Sequence, residues 1–141
     1  MDLALQREIS QEGEVYLFVY GTLKRGMSNH HWLGDAGYIA EAHTTADFAL
    51  YTIEYPFLAK TPALYPVHGE LYLISPADLA RVDQLEQHPD DYCREQIEVL
   101  TSQGERMMAW TYFHPQPRGI LLPDGVFSEK GCSNLQPSQP D

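Results

Sequence analysis

One stretch constrains this chain more than any other: Tyr16-Leu17-Phe18-Val19-Tyr20-Gly21-Thr22-Leu23-Lys24-Arg25-Gly26. Tyr16, Phe18 and Tyr20 alternate with Leu17 and Val19, and all five are aromatic or branched. That is the pattern of a strand whose two faces are both covered by other parts of the protein. The run ends at Gly21, and Gly26 brackets a short loop. Backbone N–H groups at the end of a core strand can be aimed at an anion or a carbonyl. Glycine lets a ligand approach such a backbone closely. The same residues are also compatible with a plain turn. The G-x-x-x-x-G spacing is followed by Met27-Ser28, so the lysine of a nucleotide-binding P-loop is missing and that reading is rejected.

Around this strand the chain reads as α+β, a small mixed β-barrel with a few flanking helices. Its 141 residues suffice for one domain with a real core. Residues 1–14 read as a flexible leader, 15–127 as the domain and 128–141 as a flexible tail of Pro, Ser and Gln. Ser28 or Asn29 as a cap and Gly34 as a stop predict a short helix between them. Residues 44–53, with Ala46, Phe48 and Leu50 alternating, predict a strand. Tyr55-Pro56 predicts a tight turn, with a cis bond at Pro56 left open, and 60–66 a proline-broken connection. Residues 67–74 predict a second core strand. Ser75-Pro76 starts a longer helix, with Ser75 at the cap, Pro76 at the first position and Asp78 in the first turn, running to about residue 87 before Pro89. Residues 96–101 and 106–113 predict a hairpin, with Met108, Trp110 and Tyr112 on one face. Residues 120–122 are apolar enough to dock.

Charge and composition narrow the partners. The formal net charge is -11, which repels nucleic acid and anionic membrane. No apolar run approaches the ~20 residues of a membrane span, and the leader lacks an apolar signal core. Cys93 and Cys132 form neither a disulfide framework nor a C-x-x-C site, so a reduced, cytoplasmic setting is expected. His30, His31, His43, His68, His88 and His114 show no ligand spacing, and no metal is expected.

The helix predicted from Ser75 has its apolar stripe at Leu79, Val82 and Leu85. Glu86 falls on or beside that stripe, near the helix C-terminus. Partial burial and the negative end of the helix dipole both favour its protonated form, as suits a general base working near neutral pH. Equally, Glu86 at a helix end fits a surface residue or a structural bridge to Arg94. Thr22 has no base at a telling spacing, which argues against a nucleophile. Tyr92, Arg94, Trp110 and Tyr112 fit either the lining of a pocket or ordinary wall and core.

Three blocks of sequence resemble the γ-glutamylcyclotransferase-like (AIG2-like) family. The first is Phe18-Val19-Tyr20-Gly21-Thr22-Leu23-Lys24-Arg25-Gly26 with Asn29-His30 and Leu33. The second is Gly69-Glu70-Leu71-Tyr72. The third is Val82-Asp83-Gln84-Leu85-Glu86-Gln87-His88-Pro89 with Tyr92-Cys93-Arg94. The strongest likeness is to the γ-glutamylamine branch. The resemblance implies a small β-barrel with flanking helices, no cofactor and a small γ-glutamyl substrate; a monomer is expected. It implies that the backbone of Tyr20, Gly21, Thr22 and Leu23 binds the γ-glutamyl group and that Glu86 accepts the proton. Tyr92, Arg94 and Tyr112 take supporting places. Residues 35–66 match loosely, which leaves three readings of the substrate side: a γ-glutamylamine, a γ-glutamyl-protected natural-product amine, or a non-catalytic binding domain.

Overall fold

The computed structural model describes residues 13–52, 56–86, 93–114 and 119–127, and of Glu86 the backbone alone. Tyr92, Cys132, the Tyr55-Pro56 bond, the leader up to residue 12 and the tail from residue 128 lie outside it.

Strand β1 (Val15–Val19) pairs antiparallel with β5 (His68–Ile74), Phe18 opposite Leu71 and Val19 opposite Glu70. On its other side β1 meets β7 (Arg106–Phe113) in a parallel contact at Leu17 and Trp110. Strand β2 (Gly37–Thr44) joins β5 to β6 (Cys93–Thr101), and β6 forms a long hairpin with β7. The ring β1-β5-β2-β6-β7 is therefore a closed, five-stranded mixed barrel. Strand β4 (Pro56–Ala59) continues the sheet from β7, followed by β3 (Ala49–Thr52) and the short edge strand β8 (Ile120–Leu121). The architecture is the barrel expected from the sequence, with eight strands, one α-helix and one 3-10 turn among the described residues.

The alternation of β1 divides two cores. Phe18 and Tyr20 fill the barrel interior with Leu50, Leu58, Val67, Leu71, Val99, Ala109 and Phe113. Leu17 and Val19 face outward and are covered by helix α1 (Pro76–Glu86), through Leu79 and Val82 with Leu85 at the margin. Burying both faces removes Leu17, Phe18 and Val19 almost wholly from water, a contribution of ~1.5–3 kcal/mol for each large apolar side chain. Helix α1 begins as its sequence directs. Ser75 Oγ accepts the Asp78 N–H at 3.2 Å, which satisfies one of the donors that a helix start leaves open.

Three local expectations are corrected. The strand expected over 44–53 is two pieces: Thr44 ends β2, a turn intervenes, and β3 begins at Ala49. The chain reverses there because Phe48 bridges Tyr65 and Thr44 turns inward to accept the Val67 N–H. Strand β2 escaped notice because Ala40 and Ala42, its inward residues, lack the bulk of strand formers. Pro56 opens strand β4 instead of making a turn: β4 pairs with β3, and Pro56, opposite Thr52, stands at the end of the ladder, where proline is tolerated. The helix expected after Asn29 is a single 3-10 turn, His30–Leu33. No described helix is long and apolar enough to cross a membrane.

Candidate functional site

Beyond Val19 the chain leaves the barrel and turns at once. Lys24 N–H donates to Gly21 C=O at 3.0 Å, closing a β-turn with Thr22 and Leu23 at its centre. Gly21 is required by space: a Cβ there would lie 2.4 Å from Pro56 Cγ. The following 3-10 turn folds back on the loop. Asn29 stands at its N-cap but does not cap it. Its backbone N–H donates to Thr22 C=O at 2.9 Å, and its side-chain amide donates to Thr22 Oγ1 at 3.0 Å. His30 Nδ1 donates to Leu23 C=O at 2.9 Å. The Thr22 hydroxyl thus accepts a hydrogen bond from Asn29.

With the carbonyls of Gly21, Thr22 and Leu23 all engaged, their N–H groups find no acceptor among the described residues. Successive backbone amides without internal partners are the kind of donor row that can hold an anion or a carbonyl oxygen. The Leu23 side chain anchors the turn, buried in the outer core with Leu33, Val82 and Tyr112. Loop and helix α1 therefore lie on the same face of the sheet.

The far side of the site is organised by Asp83. Arg94 donates to its carboxylate in two-pronged fashion, Nε at 2.7 Å and a terminal nitrogen at 2.9 Å. This geometry couples strength to direction, and the bonds to Asp83 hold the Arg94 guanidinium above its ordinary pKa. The Tyr112 hydroxyl donates to the same carboxylate at 2.5 Å. Arg94 also lies over the Trp110 ring, 4.9 Å from its centroid. The Tyr20 hydroxyl donates to Tyr112 C=O at 2.8 Å and accepts from Leu58 N–H at 3.2 Å. A continuous chain of hydrogen bonds so runs from α1, through Asp83 and Tyr112, to the residue that precedes the amide loop.

Tyr20, Arg94 and Tyr112 are thus brought together by hydrogen bonds, and Gly21, Thr22 and Leu23 form the adjoining turn. Helix α1 ends at Glu86, three residues beyond Asp83, while the Glu86 side chain and Tyr92 lie outside the described residues. Tyr20 contributes its ring to the barrel interior.

Two charged residues of the site escaped the sequence reading. Glu70, 9% exposed, accepts the Arg25 N–H at 2.8 Å and the Tyr72 hydroxyl at 3.0 Å, and faces the Arg25 guanidinium at 3.6 Å. Arg25 in turn covers the Tyr38 ring at 4.0 Å. Burial, then the neighbouring Glu70 carboxylate, push the Tyr72 hydroxyl well above its ordinary pKa. Lys24 reaches the Phe127 C=O at 2.6 Å. Burial lowers its pKa, while Glu70 and Glu41 oppose that shift. The one signal in sequence was Glu70 itself, a carboxylate in an otherwise apolar strand. Among the described residues no group of three or more His, Cys, Asp and Glu could hold a metal ion.

The family profile described as "Gamma-glutamyl cyclotransferase, AIG2-like" matches residues 17–129. A protein of Methanocaldococcus jannaschii, provisionally named a γ-glutamylcyclotransferase, is 33% identical over 115 residues, spanning 81% of this chain and 96% of its own. The γ-glutamylaminecyclotransferase A of Danio rerio is 34% identical over 109 residues, 70% of this chain and 68% of its own. The crystal structure of an AIG2-like protein (GGACT) from Mus musculus superposes with a TM-score of 0.78 at 26% identity, over 87% of this chain and 94% of that one. With the matched region running from strand β1 to beyond Phe127, the chain belongs to the AIG2-like γ-glutamyl cyclotransferase family.

Proposed function

We propose that this protein is a γ-glutamylamine cyclotransferase, converting a γ-glutamyl amide into 5-oxoproline and a free amine with Glu86 as general base. Family membership and the name of the zebrafish relative support the reaction class. The observation that carries the reading is the row of unpartnered amides at Gly21, Thr22 and Leu23, on the face of the sheet covered by the helix that Glu86 ends.

In this reading the substrate supplies its own nucleophile. Glu86 removes a proton from the substrate α-ammonium. The freed amine attacks the γ-carbonyl carbon, closing a five-membered lactam and placing negative charge on the carbonyl oxygen. The proton held by Glu86 passes to the leaving nitrogen as the oxyanion collapses and the C–N bond breaks; Glu86 then takes the second proton from the ring nitrogen, leaving the neutral lactam, and gives it up to the departing amine, so the base is regenerated. No serine, cysteine or metal takes part. The catalytic demand is to hold an extended glutamyl chain in a folded conformation, and orientation of that kind contributes up to ~7–11 kcal/mol. The amides of Gly21, Thr22 and Leu23 hold the α-carboxylate of the γ-glutamyl group, a contact made alike in the ground and transition states. Arg94 and Tyr112 act through Asp83 by fixing the helix that presents the base.

The test is release of 5-oxoproline from γ-glutamyl-ε-lysine, other γ-glutamyl amines and γ-glutamyl dipeptides. The wild-type protein is expected to act on the amines, and Glu86→Gln to keep its fold while losing turnover by about 100-fold or more. Products only from the dipeptides would assign a different leaving group. Near-normal turnover by Glu86→Gln would remove Glu86 from the chemistry.

A further inference from the structure

Glu70 stands where β1 gives way to the loop. Its register partner on β1 is Val19, the last residue of that strand, and its partner on β2 is Glu41. Two carboxylates directly opposite each other in an antiparallel pair repel, and a carboxylate only 9% exposed carries a desolvation cost as well. The arrangement is offset by the loop. Lys24 and Arg25 bring two cations down over these carboxylates, and Glu70 interacts with both of them. The contact between Glu70 and Arg25 is not only charge against charge. Glu70 Oε1 accepts the Arg25 backbone N–H at 2.8 Å, and the same oxygen accepts the Tyr72 hydroxyl at 3.0 Å. The other oxygen faces Arg25 Nε at 3.6 Å. With these oxygens occupied by protein donors, Glu70 is poorly placed to act on a substrate itself. What it grips is the backbone one residue after Lys24, and Lys24 N–H closes the turn onto Gly21 C=O.

We propose that Glu70 is a positioning residue for the substrate loop, clamping Arg25 to the sheet so that the N–H groups of Gly21, Thr22 and Leu23 keep the orientation that binds the γ-glutamyl group. The proposal rests on those amides being the substrate anchor. Asn29 and His30 hold the carbonyls of Thr22 and Leu23 from the 3-10 turn, and Glu70 holds the opposite leg. The loop is thereby fixed on both sides of the free amides, and donors fixed in advance lose little freedom when the ligand arrives.

Glu70→Gln keeps the shape and one acceptor oxygen but removes the charge, and Glu70→Ala removes both. With γ-glutamyl-ε-lysine as substrate, Glu70→Gln should raise KM about tenfold while kcat and its pH profile stay close to wild type, the signature of weakened binding rather than altered chemistry. Hydrogen exchange reads the clamp without turnover: the Arg25 and Lys24 amides should exchange about tenfold faster or more in folded Glu70→Ala. Unchanged KM, or unchanged exchange, overturns the proposal. A fall in kcat at constant KM, or a displaced pH profile, also overturns it by giving Glu70 a part in the chemistry. Should the wild-type protein release no 5-oxoproline from any γ-glutamyl compound, the functional reading fails. Faster exchange in the variant would then still establish the clamp as a property of the loop.

Discussion

Gly21 shows how little tolerance the site has at a single atom. An alanine methyl group would meet Pro56 Cγ at 2.4 Å, and a proline ring cannot rotate away. Gly21→Ala should therefore fold with a loss of about 1–3 kcal/mol in a urea titration, and its 5-oxoproline release should drop more steeply than its stability does. Tyr72 carries a pH signature. Its hydroxyl is held above an ordinary value of 10.0 by burial and by Glu70. Above pH ~10 the unfolded chain therefore gives up this proton more readily than the folded one, and stability falls as pH rises. Below that point the contribution is fully present. Tyr72→Phe should consequently lose melting temperature less steeply than the wild type as pH rises above about 10, with the two melting temperatures furthest apart near neutrality and converging as pH rises. Glu70 is the residue that sequence reading left without a role, for a physical reason. Its partner Arg25 lies 45 positions away, and a lone carboxylate in a strand carries no mark of what will be folded against it.

Among the elements, those whose signals are local were legible. Strand β1 shows its two covered faces in its alternation, and α1 shows its start in Ser75-Pro76 and its buried stripe in Leu79, Val82 and Leu85. Strands β2 and β4 were not legible because their residues answer to neighbours. Ala40 and Ala42 are small where Phe18 and Leu71 already fill the barrel, and Pro56 sits in a strand only because it stands at the end of a ladder. The pairing that fixes α1 was half visible: Arg94 was read as a support, and among the described residues it grips Asp83. Asp83→Asn keeps the shape and removes the charge from this junction. It should cost about 1–3 kcal/mol, from one weakened bidentate pair and one weakened tyrosine bond, and lower kcat by more than that loss in stability explains. Both quantities can be read on one preparation, by chemical denaturation and by the 5-oxoproline assay.

For the molecule as a whole, the segment around Phe127 fastens the loop and β5 to the barrel. Phe127 is buried in the interior cluster, and its carbonyl receives the Lys24 ammonium. His68 N–H donates to Gly125 C=O at 2.8 Å, so this last segment is fastened to β5 as well. Phe127→Ala should destabilise the protein by about 3–5 kcal/mol in the same denaturation experiment. It should also weaken substrate binding, because the strap and the loop share a bond.

The barrel is stoppered by its own side chains, Phe18, Leu50, Leu71 and Phe113 among them. A vessel already full has no chamber against which to gauge a guest. In the proposed reading the guest is therefore gripped on the outer wall, by the amides that follow strand β1. For a γ-glutamyl substrate held there, the fold would set strict terms for the glutamyl end and loose ones for whatever is attached to it.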